Sequence, residues 1–327
     1  MPAAPTPRRS QVLVNGQWTD DWQPVQESDD DGRFIRQQSG FRDAVSADSA
    51  KGFTPESGRY HLYLAYICPW ACRTLIALRL KGLDRHISVD IVNPTLTSQG
   101  WAFGGDFDGV TEDTVNGARY MHEIYTRAAP DYSGRATVPV LWDKHQETIV
   151  NNESSDILRI LNTGFGELAD PTHDLYPVAL QREIDTVNER LYEPFNNGVY
   201  KAGFATRQSA YEEAVKTVFD SLDWLEARLT ERTWLVGDQL TEADIRAFVT
   251  LIRFEPAYYG AFKCNLKPLS AYPAVLAYLK RLLAIPAFAK SVRVDHIQAG
   301  YYSIEAINPT RIVPIGPKLD YIEAMGS

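Results

Sequence analysis

A change of pattern near residue 170 constrains the fold of this chain more than any other feature of its sequence. Before it, two kinds of run alternate. Arg59 to Tyr66 reads as a strand, Thr74 to Lys81 as a helix, and Ile87 to Val92 as a second strand. A Gly-rich, aromatic loop from Pro94 to Gly117 leads to a helix near Arg119 to Ala128. The strands Val138 to Leu141 and Thr148 to Val150 follow, then a helix from Glu153 to Leu161. From about Asp174 the strand signal disappears. Leu180, Ile184, Val187 and Leu191 recur at spacings of three and four, as do Val215, Val218, Phe219, Leu222 and Leu225, so this half is predicted to be all-helical. In Leu240-Thr241-Glu242-Ala243-Asp244-Ile245, Thr241 and Asp244 can satisfy each other's amides. That capping signal opens a predicted buried helix from Ala243 to Phe254.

Residues 1–56 differ from both halves. They are polar, carry the acidic run Asp29-Asp30-Asp31 and hold scattered aromatics, Trp18, Trp22, Phe34 and Phe41. An extended arm that packs at those aromatics is predicted, with the acidic run solvated. A mixed α/β domain is expected over 57–166 and an all-helical domain over 174–327, ending in an extended proline-rich tail from Ile307 to Pro317. No apolar run approaches the roughly 18 residues of a membrane-spanning helix, so no membrane association is expected. The opening MPAAPTPRRS lacks the apolar core of an export signal. Three cysteines do not make a disulfide framework, and a cytoplasmic location is expected. The net charge of -9 argues against sequence-independent nucleic-acid binding, which needs a basic footprint.

Cys68 stands where the first strand gives way to the first helix. The unpaired amides of a helix N-terminus and its macrodipole favour a thiolate there, so Cys68 is expected to titrate below the free-thiol value of about 8.5. Pro69 suits the first helical position, where its missing N–H costs nothing. A buried structural cysteine ahead of a helix is the alternative. The order βαβ, α, ββα with a thiol at the first helix is a thioredoxin-like layout.

Longer blocks carry a resemblance. They are Cys68-Pro69-Trp70-Ala71, Gly100-Trp101-Ala102-Phe103, the run from Tyr132 to Asp143, Asn152-Glu153-Ser154-Ser155, the run from Asn196 to Phe204, Phe262-Lys263-Cys264-Asn265 and Tyr301-Tyr302. In this order they resemble the soluble glutathione transferases, and within them the Xi class, the glutathionyl-hydroquinone reductases. The resemblance covers roughly residues 34 to 317.

It implies a thioredoxin-like domain followed by a helical transferase domain, glutathione as co-substrate, no metal, and a homodimer paired through the helical halves. It also implies roles. Cys68 would be catalytic, and Val138, before a cis-proline, would pair with the cysteinyl part of glutathione. Glu153 and Ser154 would hold its γ-glutamyl end, and Trp101 would wall the thiol site. Tyr200, Tyr301 and Tyr302 would bind an aromatic electrophile, to which a tyrosine offers a flat face and a hydroxyl. Arg119, Arg127 and Arg135 are equal candidates for the glycyl carboxylate. Taken singly, these residues fit packing or capping as well. Phe254 to Phe262 (FEPAYYGAF), with the tail, is read as dimer surface, the alternative being the wall of the electrophile pocket.

Two cysteines have no assigned chemistry. Cys72 stands four residues from Cys68, a poor spacing for disulfide closure along a helix, and is expected to be packed. Cys264 is expected to be structural. The sequence also departs from the family pattern, with Cys72 and Ala261 where histidines are common. The implied reaction removes glutathione from a glutathionyl-hydroquinone through a Cys68 mixed disulfide. The other readings are a glutaredoxin-like or dehydroascorbate-reductase-like thiol-disulfide oxidoreductase and a non-enzymatic interaction module.

Overall fold

A computed structural model describes residues 10–22, 38–316 and 318–323; the acidic run, Phe34 and the side chain of Trp22 lie outside what it describes. Strands β1 (Ser10–Val14) and β2 (Gln17–Trp22) form an antiparallel hairpin. Asn15 and Gly16, both at positive φ, make the two-residue turn that such hairpins favour. A Cβ at Gly16 would collide with the Pro130 carbonyl. Paired bonds of 2.9 Å between Leu13 and Gly134 seat the hairpin on the α/β domain.

The arm is therefore not simply extended. Its later part runs along the sheet edge, where Asp43 N donates to Val150 O at 3.0 Å and Asn152 N to Phe41 O at 3.1 Å, covering backbone that would otherwise invite pairing.

The central sheet follows. β3 (Tyr60–Leu64) leads through α1 (Pro69–Leu80) to β4 (Ser88–Ile91), and α2 (Met121–Ala128) precedes β5 (Val140–Asp143), β6 (Thr148–Asn151) and α3 (Ser154–Arg159). Strand order is β4-β3-β5-β6, with β3 parallel to β4 and antiparallel to β5, which is antiparallel to β6. All five β3 residues are buried, as expected of a strand covered on both faces. This is the thioredoxin-like layout that the sequence implied.

The second half is helical among the described residues: α4 (Gln181–Leu191), α5 (Gly198–Gly203), α6 (Gln208–Thr230), α7 (Glu242–Arg253), α8 (Pro273–Leu283), α9 (Pro286–Ala289), α10 (Val294–Tyr302) and the short α11 (Asp320–Glu323). The Thr241/Asp244 capping box opens α7 as its sequence suggested. Asp244 also accepts from Leu235 N at 2.9 Å and Tyr278 Oη at 2.7 Å, so the buried cap ties three segments together. Among the described residues no helix is long and apolar enough to cross a membrane.

Candidate active site

The turn after β3 delivers Cys68 to the start of α1. Cys68 is half-buried with φ -74° and ψ 116°, just outside helical geometry, and Pro69 is the first helical residue. Its Sγ donates to the Val138 carbonyl at 3.6 Å, and the Val138-Pro139 peptide is cis. Beside this contact opens a cleft of about 620 Å³, counting space open to solvent, lined by Trp70, Arg135, Val138, Glu153 and Ser154 among others. Glu153 caps α3, its Oε1 accepting from Ser155 N at 3.1 Å, while its Oε2 accepts from Ser39 Oγ at 3.0 Å. Ser154 is buried beside it. A polar wall and Val138, whose carbonyl the Cys68 thiol meets, thus stand at one cleft, an arrangement that can hold an extended peptide thiol.

The three arginine candidates separate. Arg127 pairs with Glu147 at 2.9 Å on the surface and Arg119 lies over the Tyr120 ring, whereas Arg135 lines the cleft. Trp101 does not line it; it sits half-buried on the loop before α2, its carbonyl accepting from Met121 N at 2.9 Å.

In the helical half, Tyr200 Oη lies 2.5 Å from Tyr301 Oη, which lies 3.1 Å from Tyr258 Oη. Burial pushes the Tyr258 and Tyr301 hydroxyls well above the usual tyrosine range, so both stay protonated. Trp70 joins this cluster to the thiol cleft. Its ring stacks on Tyr200 at 6.4 Å, and the Arg73 guanidinium lies 4.4 Å from its centre. Tyr302 goes elsewhere: a Cβ on Gly260 would meet its hydroxyl, and its hydroxyl bonds the Ala261 backbone. Neighbouring helical residues point about 100° apart, so Tyr301 and Tyr302 do not share one face.

Glutathione transferase domain models match on both sides of this arrangement, the N-terminal domain over residues 67–163 and the C-terminal domain over 208–281. The glutathionyl-hydroquinone reductase PcpF of Sphingobium chlorophenolicum is 48% identical over 307 residues, which cover 94% of this chain and 96% of that protein. The glutathionyl-hydroquinone reductase YqjG of Escherichia coli (strain K12) is 47% identical, covering 96% and 97%. The chain belongs to the Xi-class glutathione transferases, the glutathionyl-hydroquinone reductases. A Xi-class transferase from Natrialba magadii superposes with a TM-score of 0.89 at 44% identity, covering 96% of this chain and 95% of the other. The glutathione-bound structure of the Escherichia coli YqjG gives 0.87 at 44% identity, covering 95% and 97%.

In this Xi-class chain the segment Phe254 to Phe262 is not the exposed patch its composition suggested. Phe254, Tyr258 and Phe262 are buried, and Tyr258 and Phe262 pack against Tyr200 and Tyr301, so the segment builds the aromatic cluster. Trp70 and Tyr258 were not singled out in the sequence, although each sits inside a block that carries the resemblance or an aromatic run.

All three cysteines are free thiols. Cys72 is buried and its Sγ donates to Ser291 O at 3.4 Å, pointing toward the helical half. Mass spectrometry of air-oxidised protein should therefore find no internal disulfide; a Cys68–Cys72 bridge in most molecules would contradict this. Cys264 is fully buried, and burial pushes its thiol up to about 12, the environment of an inert cysteine.

Proposed function

We propose that the chain removes glutathione from glutathionyl-hydroquinones, with Cys68 as the attacking thiol. The Cys68 thiolate attacks the thioether sulfur of the conjugate and forms an S–S bond. The carbon–sulfur bond breaks, its electron pair goes to the ring carbon, and that carbon takes a proton, releasing the hydroquinone. A second glutathione thiolate then attacks the mixed disulfide, giving glutathione disulfide and regenerating Cys68. The observation that carries the reading is the placement of Cys68 at a helix start against Val138, with the Tyr200–Tyr301–Tyr258 hydroxyl cluster across Trp70.

Tyr200 and Tyr301 would hold the quinol oxygens. Val138, Glu153 and Ser154 would hold glutathione, whereas Trp101, outside the cleft lining, and Tyr302, at Gly260 and Ala261, are not assigned a contact with it. The experiment is turnover of glutathionyl-menadione with glutathione. Release of menadiol with stoichiometric glutathione disulfide supports the reading, and disulfide turnover without it favours the glutaredoxin-like alternative.

Arg135 is the basic residue we assign to the glycyl carboxylate, because it alone of the three candidates lines the cleft. Losing one charge-assisted bond costs about 1.5–3 kcal/mol, so Arg135→Met should weaken glutathione binding by about ten- to a hundredfold. Calorimetry reporting an unchanged Kd would remove Arg135 from that role.

We also infer a cytoplasmic homodimer. With Phe254, Tyr258 and Phe262 buried, its support rests on the tail, where Ile312 and Ile315 are 69% and 97% exposed and Val313 is also exposed. Such apolar exposure fits an association surface. Light scattering should give twice the 36.8 kDa chain mass; a particle of that single mass at micromolar concentration would decide for a monomer.

A further inference from the structure

Arg253 closes α7 and is fully buried. Its guanidinium reaches across to the α/β domain, where Nη2 donates to Tyr66 O at 2.7 Å and Nε to Ile67 O at 2.8 Å. Nη1 donates to Val249 O, also at 2.8 Å, within its own helix. These three acceptors are neutral carbonyls, the Cys72 thiol is a further hydrogen-bond neighbour, and no carboxylate pairs with Arg253 among the described residues. A buried cation without a counter-ion is costly, and an apolar side chain of similar volume would pack there at less cost.

The two gripped carbonyls belong to the two residues just before Cys68. Because the peptide unit is planar, fixing the Ile67 carbonyl fixes the Cys68 amide, which donates to Ala65 O at 3.0 Å. The next rotations along the chain set where Sγ lies relative to Val138. We propose that Arg253 is a positioning residue for the reaction: its planar fork locks the Tyr66 and Ile67 carbonyls and thereby aims the Cys68 thiol at the start of α1. The same grip keeps two negative dipole ends turned toward Arg253. Burial works against the Arg253 charge, but an arginine stays protonated at neutral pH, and its guanidinium lies beside Cys72, Tyr258 and Tyr301. One cation thus stands behind both the thiol turn and the phenol cluster.

Lysine keeps the charge but is a point donor that does not span two carbonyls in one plane. In Arg253→Lys, kcat for glutathionyl-menadione should fall about tenfold or more with KM changed less than about threefold, the pattern of a misaligned reacting group. Alkylation of Cys68 by iodoacetamide should slow and its pH midpoint should rise, which a merely structural residue would not cause in a folded protein. Arg253→Met, which also removes the charge, should lose at least as much. Thermal melting and circular dichroism establish that each variant is folded.

A folded Arg253→Lys with wild-type kcat and wild-type Cys68 alkylation would overturn the proposal. So would a rise in KM alone, or failure of both variants to fold, which would assign Arg253 to the fold only. The proposal rests on Cys68 being the attacking thiol, and Cys68→Ala tests that separately: if this variant keeps its turnover, the reading of the site fails whatever Arg253 does.

Discussion

Cys68→Ala should abolish glutathionyl-hydroquinone turnover, with the protein folded and glutathione still bound. The side chain is small and half-buried at the end of a loop, so its removal leaves no large cavity. The groups assigned to glutathione, Val138, Glu153, Ser154 and Arg135, come from other elements and keep their places. What disappears is the one atom that can form the mixed disulfide. Without covalent capture, a displacement at sulfur would need a second glutathione aligned in the same cleft. A loss of several orders of magnitude in kcat is expected, as for other enzymes stripped of their nucleophile. Cys68→Ser should lose the same activity, because a hydroxyl is a far weaker nucleophile at neutral pH than a thiolate. Steady-state turnover with near wild-type rates in Cys68→Ala would remove the thiol from the mechanism.

Tyr200→Phe should lower kcat/KM for the quinol conjugate by about ten- to a hundredfold, the worth of a buried polar group left unpaired at about 1–3 kcal/mol. Tyr200 is the half-buried end of a chain of three hydroxyls, whereas Tyr258 and Tyr301 are buried behind it. It is therefore the member that an incoming phenol meets, and the phenylalanine ring keeps the stack on Trp70. Cys68 alkylation should be unchanged, which separates a pocket defect from a thiol defect. Equal losses for quinol conjugates and for simple glutathione disulfides would place the fault in the thiol site instead.

Periodicity made most of the fold legible. β3, with every residue buried, and α7, with its capping box, declare themselves by pattern and by end signals, and the switch to helix after residue 170 is one of period. The hairpin Ser10–Trp22 escaped because its strands are short and lie in a segment of polar composition, although Asn15-Gly16 is a two-residue turn signal that could have found it. Phe254 to Phe262 escaped for another reason. An aromatic run says that a large surface will be covered, but not by what; here the wide turn Phe254–Tyr258 continues α7 and turns Tyr258 inward.

At the site, Cys68, named by its place at a helix start, came together with Val138, and Tyr200 with Tyr301, three residues that only the family resemblance had named. Tyr302 shows the limit of pairing neighbours in sequence, since helical geometry splits them. Arg253 was beyond reach, because its acceptors are backbone carbonyls 186 and 187 residues away, and no residue type advertises such a bond.

The most direct test of the account is a single turnover without free glutathione. Enzyme mixed with one equivalent of glutathionyl-menadione is quenched in acid, and its mass and the released quinol are measured together. One glutathionyl group on the peptide that contains Cys68, formed at the rate of menadiol release, is the predicted result. Menadiol released with no adduct on Cys68, or with the glutathionyl group on Cys72 or Cys264, would contradict it.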